Sequence, residues 1–187
     1  PNAGTIAFAG ERIDGMTPDK VCGRGIGRTF QLVRPFPGLS VEDNVMVGAL
    51  HRRQEVTAAR THARDVLARL DLYDKRSQPA AALTLPDRKR LEVARALATD
   101  PNLLLLDEVM AGLRPTETDE MVAFFREINR DLGIGILLIE HVMRAVMALA
   151  AHIVVVSSGE KIAEGAPQDV VRDQAVLDVY LGEPEEA

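Results

Sequence analysis

Leu103-Leu104-Leu105-Leu106-Asp107-Glu108 is the stretch whose reading decides the fold. Four consecutive leucines leave no polar face, so the run reads as a strand covered on both sides, the state of a parallel-sheet interior. Two carboxylates follow where that strand ends. In open α/β sheets, ligands gather just beyond the carboxyl ends of the strands. Adjacent strand residues point to opposite sides, so one carboxylate can hold a metal ion while its neighbour handles a water molecule. Standing alone, an Asp-Glu pair does no more than open a turn, and the weight of the reading falls on the rest of the chain.

Working outward from that run, the chain alternates. Residues 116–132 carry a helical pattern ended by Gly133, residues 134–139 form a second buried strand, and Glu140-His141 close it. A helix over 142–151 and a third strand over 153–156 follow, then a Ser-Ser-Gly turn into Lys161-Ile162-Ala163-Glu164 and two short helices. Strands alternating with helices predict a mostly parallel sheet with right-handed crossovers. On the N-terminal side, residues 4–15 read as two short antiparallel strands with glycine at the turns. Gly23-Arg24-Gly25-Ile26-Gly27 lacks the preceding apolar strand and the following helix of a dinucleotide loop. Ser40 caps a helix with Glu42 and Asp43 in its first turn. Residues 55–70 place Val56, Ala59, Ala63, Val66, Leu67 and Leu70 on one stripe, with arginines on a solvated face. A further helix runs from about Pro86 to Thr99, proline being suited to a first turn. The all-helical stretch 42–99 has no place in the alternation and reads as an insert.

Composition sets the outer limits. The 187 residues suffice for one domain with a real core. The net charge of −6 argues against non-specific binding to nucleic acid. A single cysteine, Cys22, excludes an internal disulfide and fits a reducing compartment. No apolar run is long enough to span a membrane.

Several stations in this order resemble the nucleotide-binding subunit of an ABC transporter. Leu103 to Glu108 resembles its Walker B strand, and Gln31 after Gly27-Arg28-Thr29-Phe30 resembles the Q-loop glutamine. Leu83-Thr84-Leu85-Pro86-Asp87 falls where the signature motif belongs, with Arg88 to Leu97 resembling the helix behind it. Ala111-Gly112-Leu113 resembles the D-loop, and His141 after Ile139-Glu140 resembles the switch histidine. The likeness spans the whole chain. Finer wording, in Gly25 to Gln31, Phe36 to Val41, Leu137 to His141, Lys161 to Gly165 and Tyr180-Leu181-Gly182, resembles the ATPase subunits of branched-chain amino-acid importers.

The resemblance implies an α/β fold, with the mostly parallel sheet of a P-loop ATPase-like core. Residues 42–99 would be a helical subdomain insert, and a small antiparallel portion would lie at the N-terminus. Residues 1–187 would then form a single ABC ATPase domain. It also implies ATP and Mg²⁺ as ligands. Asp107 would bind the Mg²⁺ shell, an oxygen-ligand task, and Gln31 would reach the metal and water. Glu108 would be the general base, and His141 would contact the γ-phosphate. Leu83, Thr84, Leu85, Pro86, Asp87 and Gly112 would meet nucleotide across a head-to-tail dimer. The implied partners are a second ABC ATPase subunit and transmembrane permease subunits. The implied location is peripheral, on the cytoplasmic face of a bacterial-type inner membrane.

Two departures qualify the match. No Gly-x-x-x-x-Gly-Lys-Ser/Thr occurs, and Pro1-Asn2-Ala3-Gly4-Thr5-Ile6 resembles the text that follows the phosphate-loop helix. The expectation is a chain truncated at its N-terminus, unable by itself to bind ATP tightly and with an apolar sheet edge exposed. The signature region reads Leu-Thr-Leu-Pro-Asp. Thr84 keeps a hydroxyl, but Pro86 has no N–H to donate and Leu85 brings bulk, so a weaker composite site is expected. Val109, Arg114 and Val142 are milder departures. Two alternatives stay open: a urea or amide importer subunit, and a docking or regulatory fragment that lost nucleotide binding. A soluble two-cassette ATPase does not fit in 187 residues.

Overall fold

The leucine run is the central strand of a three-stranded parallel sheet. The computed structural model describes residues 3–181. These divide into two compact units, the first ending at Glu140 and the second beginning at His141. Pro1 and Asn2, at one end of the family likeness, and Gly182, at the other, lie outside the described residues.

In the first unit, β1 (Ala7–Phe8) and β2 (Glu11–Arg12) form the expected antiparallel pair. Helix α1 (Pro18–Gly23) leads into β3 (Ile26–Arg28), then come α2 (Val41–Ala49), α3 (Val56–Arg69) and α4 (Leu85–Leu97). Strand β4 (Leu103–Asp107), α5 (Pro115–Leu132) and β5 (Gly135–Ile139) complete it. The sheet order is β3-β4-β5, all parallel, with Leu104 opposite Gly27 and Asp107 opposite Ile139.

The sheet corrects two expectations. Strand β3 was not anticipated: it is three residues long, and its parallel pairing to β4 supplies what its composition does not. Strand β4 is covered fully on one face, not two. Leu104 and Leu106 are buried, whereas Leu103 and Leu105 are half-buried, and on β5 the same face carries Leu137 and Ile139 at 52% and 57% exposure. An apolar sheet surface is open there among the described residues.

The helices follow their local signals. Ser40 Oγ accepts the amide of Asp43 at 3.0 Å, and Glu42 and Asp43 complement the positive N-terminal end of α2. Gly48 on α2 lets α4 approach, since a Cβ there would sit 2.5 Å from the carbonyl oxygen of Arg95. Helix α3 buries Ala59, Ala63, Val66 and Leu67, while Val56 is exposed. Its arginine face is not merely solvated: Arg60 and Arg64 both pair with the buried Glu42 of α2. Helix α5 buries Thr118, Met121, Val122, Phe125 and Ile128, a stripe of 3.6-residue period, and ends on left-handed Gly133.

The second unit contains α6 (Met143–Leu149), β6 (Ile153–Ser157), β7 (Glu160–Gly165), α7 (Pro167–Val170) and α8 (Gln174–Leu181). Strand β6 was expected as a third strand of the parallel sheet. Its partner is instead β7, antiparallel across a turn at Ser158-Gly159. Ile153 and Val155 pack on Ala163, Val170 and Val176, while Val154 and Val156 face outward. A one-faced hairpin needs just that alternation.

Candidate functional site

The carboxyl ends of β3 and β4 bring together side chains far apart in sequence. Thr29, fully buried, extends the β3–β4 ladder: its amide donates to Leu105 O at 3.0 Å, and its hydroxyl accepts the amide of Asp107 at 3.2 Å. Two residues on, Gln31 Nε2 donates to Glu108 Oε2 at 2.6 Å, joining positions 77 apart. Arg28 Nη2 stands 3.4 Å from Asp107 Oδ2, and its guanidinium lies over the Phe30 ring, 5.3 Å from the centroid. The arginine belongs to the site, although the sequence reading gave it no role.

Glu108 leaves the strand in the left-handed region, at φ 47°. For a residue with a Cβ this conformation costs about 1–2 kcal/mol. The surroundings fix it: its amide donates to Ile139 O at 2.9 Å, and its carbonyl accepts the Ala111 amide at 3.2 Å. Gly112 follows in the same turn at φ 78°, with its missing Cβ 3.4 Å from Leu85 Cδ2. The D-loop-like and signature-like stretches therefore touch within one chain.

The signature-like positions form a second group. Thr84 caps α4, its hydroxyl donating to Asp87 Oδ2 at 2.8 Å, and Asp87 in turn pairs with Lys75 Nζ at 2.5 Å. Leu83 and Asp87 are buried, Pro86 is half-buried, and Thr84 and Leu85 are exposed. The Thr84 hydroxyl is thus committed to its cap, and a phosphate reaching it would have to displace Asp87. His141 opens the second unit, two residues after the end of β5.

A divalent ion fits the first group on donor chemistry. Asp107, Glu108 and the Gln31 amide present oxygen, the donor that Mg²⁺ prefers. Among the described residues no group of three or more His, Cys, Asp or Glu could hold a metal ion by itself. That suits an ion held by one or two carboxylates and completed by phosphate and water, as Mg²⁺ is in nucleotide sites.

Comparison with known proteins agrees with this geometry. The ABC transporter family pattern matches residues 1–111, and that of the branched-chain amino acid ATP-binding cassette transporter matches residues 160–186. The chain is 34% identical to the high-affinity branched-chain amino acid transport ATP-binding protein BraF of Pseudomonas aeruginosa, over 98% of this chain and 78% of that protein. The protein of the same description from Escherichia coli K12, LivG, gives the same identity and coverage. Among solved structures, a nucleotide-free ATP-binding cassette from an ABC transporter superposes with a TM-score of 0.85 at 26% identity, covering 97% of this chain and 78% of that one. An ATP-binding cassette of an ABC transporter in its ADP conformation gives 0.84 at 27%, with the same coverage.

Proposed function

This chain belongs to the ABC transporter family of ATP-binding proteins, and from that premise we propose that it hydrolyses ATP to power a branched-chain amino-acid importer. The observation that carries the reading is the 2.6 Å bond between Gln31 and Glu108 at the strand ends, with Asp107 beside it. Phosphoryl transfer to water calls chiefly for positioning and charge neutralisation. Glu108 is the general base, its carboxylate oriented by the Gln31 amide and accepting a proton from the attacking water. Asp107, which stands 3.4 Å from Arg28 Nη2, would hold the Mg²⁺ shell. When bound, Mg²⁺ supplies neutralisation of the phosphate charge. Gln31, whose amide nitrogen is engaged by Glu108, would offer its amide oxygen to metal and water and so link nucleotide state to the loop that follows it. His141 contacts the γ-phosphate.

The exposed Thr84 and Leu85, with Pro86, face nucleotide held by a second ABC ATPase subunit, while buried Leu83 and Asp87 hold that corner and Gly112 leaves room for Leu85. Residues 42–99 act as a helical subdomain inserted in one ABC ATPase domain. No helix among the described residues is long and apolar enough to cross a membrane. Transmembrane permease subunits would carry the solute, and the chain would sit on them at the cytoplasmic face of the inner membrane.

The test is Glu108→Gln in the full-length protein assembled with its partner subunits. Loss of a general base costs about 10²–10⁴-fold in rate, so hydrolysis should fall at least 100-fold with ATP binding retained. Hydrolysis at the original rate would refute the assignment. Stimulation of the assembled transporter by leucine, isoleucine or valine is expected; stimulation by urea or short amides in their place would refute the substrate class.

A further inference from the structure

The turn that carries Glu108 is gripped from two directions by charged side chains that the proposed chemistry does not use. From α4, the ammonium of Lys89 donates to the carbonyl oxygen of Glu108 at 3.0 Å. From the end of β5, Glu140 Oε1 accepts the amide of Met110 at 2.7 Å, and its Oε2 is buried without a hydrogen-bond partner. Lys89 is 5% exposed. Burial holds its ammonium below the usual lysine range, against the opposing pull of the Glu140, Glu108 and Glu92 carboxylates. Burying such a charge costs desolvation that its partners offset only in part, so it is a weak argument for stability. What the two groups do supply is direction. The Glu108 carbonyl and the Met110 amide are the polar atoms of the turn after a residue held at φ 47°. Anchoring both decides where the Glu108 side chain points on leaving β4.

We propose that Lys89 and Glu140 are positioning residues, which fix the left-handed turn at Glu108 and thereby aim its carboxylate at Gln31 and the attacking water. The assignment rests on Glu108 acting as the general base. The Lys89–Glu108 and Glu140–Met110 contacts join α4, β4 and β5 at one point. The helix that Thr84 caps is therefore tied directly to the base.

The test has a readout that needs no nucleotide. Amide hydrogen exchange is followed in the full-length protein for wild type, Lys89→Met, Lys89→Arg, Glu140→Ala and Glu140→Gln. Lys89→Met should speed exchange at Ala111, and Glu140→Ala at Met110, by tenfold or more, with the α4 and β4 amides unchanged. Glu140→Gln keeps an acceptor and Lys89→Arg keeps a donor, so each should restore much of the protection. In the assembled transporter, Lys89→Met and Glu140→Ala should lower kcat about tenfold with KM for ATP within about twofold, a split that a purely structural role would not produce. Unchanged exchange at Met110 and Ala111 overturns the proposal. So does an unchanged kcat in both variants while Glu108→Gln abolishes hydrolysis, and in that case the general-base reading survives. If Glu108→Gln leaves hydrolysis intact, the base assignment falls and the positioning role with it.

Discussion

Asn44 offers the sharpest test of how the segment after Gln31 is held. Its side chain is fully buried in α2 and serves the incoming loop on both sides: Oδ1 accepts the Phe36 amide at 2.8 Å, and Nδ2 donates to Phe36 O at 3.1 Å and Ser40 O at 2.9 Å. A fourth contact, to Leu39 O at 3.4 Å, is too long to weigh equally. Three good bonds at a net value of about 1 kcal/mol each set the cost of Asn44→Ala near 3 kcal/mol. For a chain of this size, that lowers the melting temperature by roughly 6–12 °C. Asn44→Asp is the informative companion. It keeps an acceptor for the Phe36 amide but turns a carboxylate toward three carbonyl oxygens, so it should be less stable than wild type at neutral pH and recover on acidification, once the acid can donate. Thermal melts of the three proteins at two pH values decide the matter. A melting temperature for Asn44→Ala within about 2 °C of wild type would refute the assignment of the loop anchor to this side chain.

Two further perturbations probe the helical stretch. Arg64 and Arg60 hold the Glu42 carboxyl below the usual glutamate range. The folded chain therefore binds that proton less readily than the unfolded one, whose value lies near ~4.3. The pair's contribution is present above the unfolded value and lost as pH falls through the folded one. Glu42→Gln should accordingly flatten the acid limb of the stability curve below about pH 4.5, as read by urea midpoints; an acid limb identical to wild type would argue against it. Gly48→Ala ought to stabilise a free helix by roughly 1 kcal/mol. Here the new Cβ would stand 2.5 Å from Arg95 O, a backbone atom. A net loss of about 1–3 kcal/mol is expected from overpacking, and a raised melting temperature would contradict the close α2–α4 approach.

The sequence made the long periodic elements and their caps legible. Ser40, Pro86 and Gly133 stand at the helix ends assigned to them, whereas the cap at Thr84 emerges only in the structure. It also exposed β4, because four leucines ending in two carboxylates have few other uses. It did not reveal β3, whose Ile-Gly-Arg has no apolar run and becomes a strand through pairing with β4. Helix α1, at six residues, is too short to show a period. The three consecutive valines of β6 concealed an antiparallel hairpin, since a short apolar run does not show which neighbour it will take. At the site, Gln31, Asp107 and Glu108 were readable through their order along the chain. Lys89 and Glu140 were not: one stands in a run of basic residues and the other beside a more conspicuous histidine, and only the backbone atoms they meet give them meaning.

The bond between Gln31 and Glu108 joins positions 77 residues apart. At about 5–20 residues per second, a ribosome needs roughly 4–15 s to travel from the one to the other. Throughout that interval β3 has no β4 to lie against, and what is being made is the helical stretch between them. Helices form from neighbours in the chain and need not wait for a distant partner. The two halves of the proposed catalytic contact are thus separated on the nascent chain by a stretch that can organise locally. The contact cannot close until that stretch and β4 beyond it have been synthesised, which makes it a marker of the β3–β4 pairing, reached before β5 emerges.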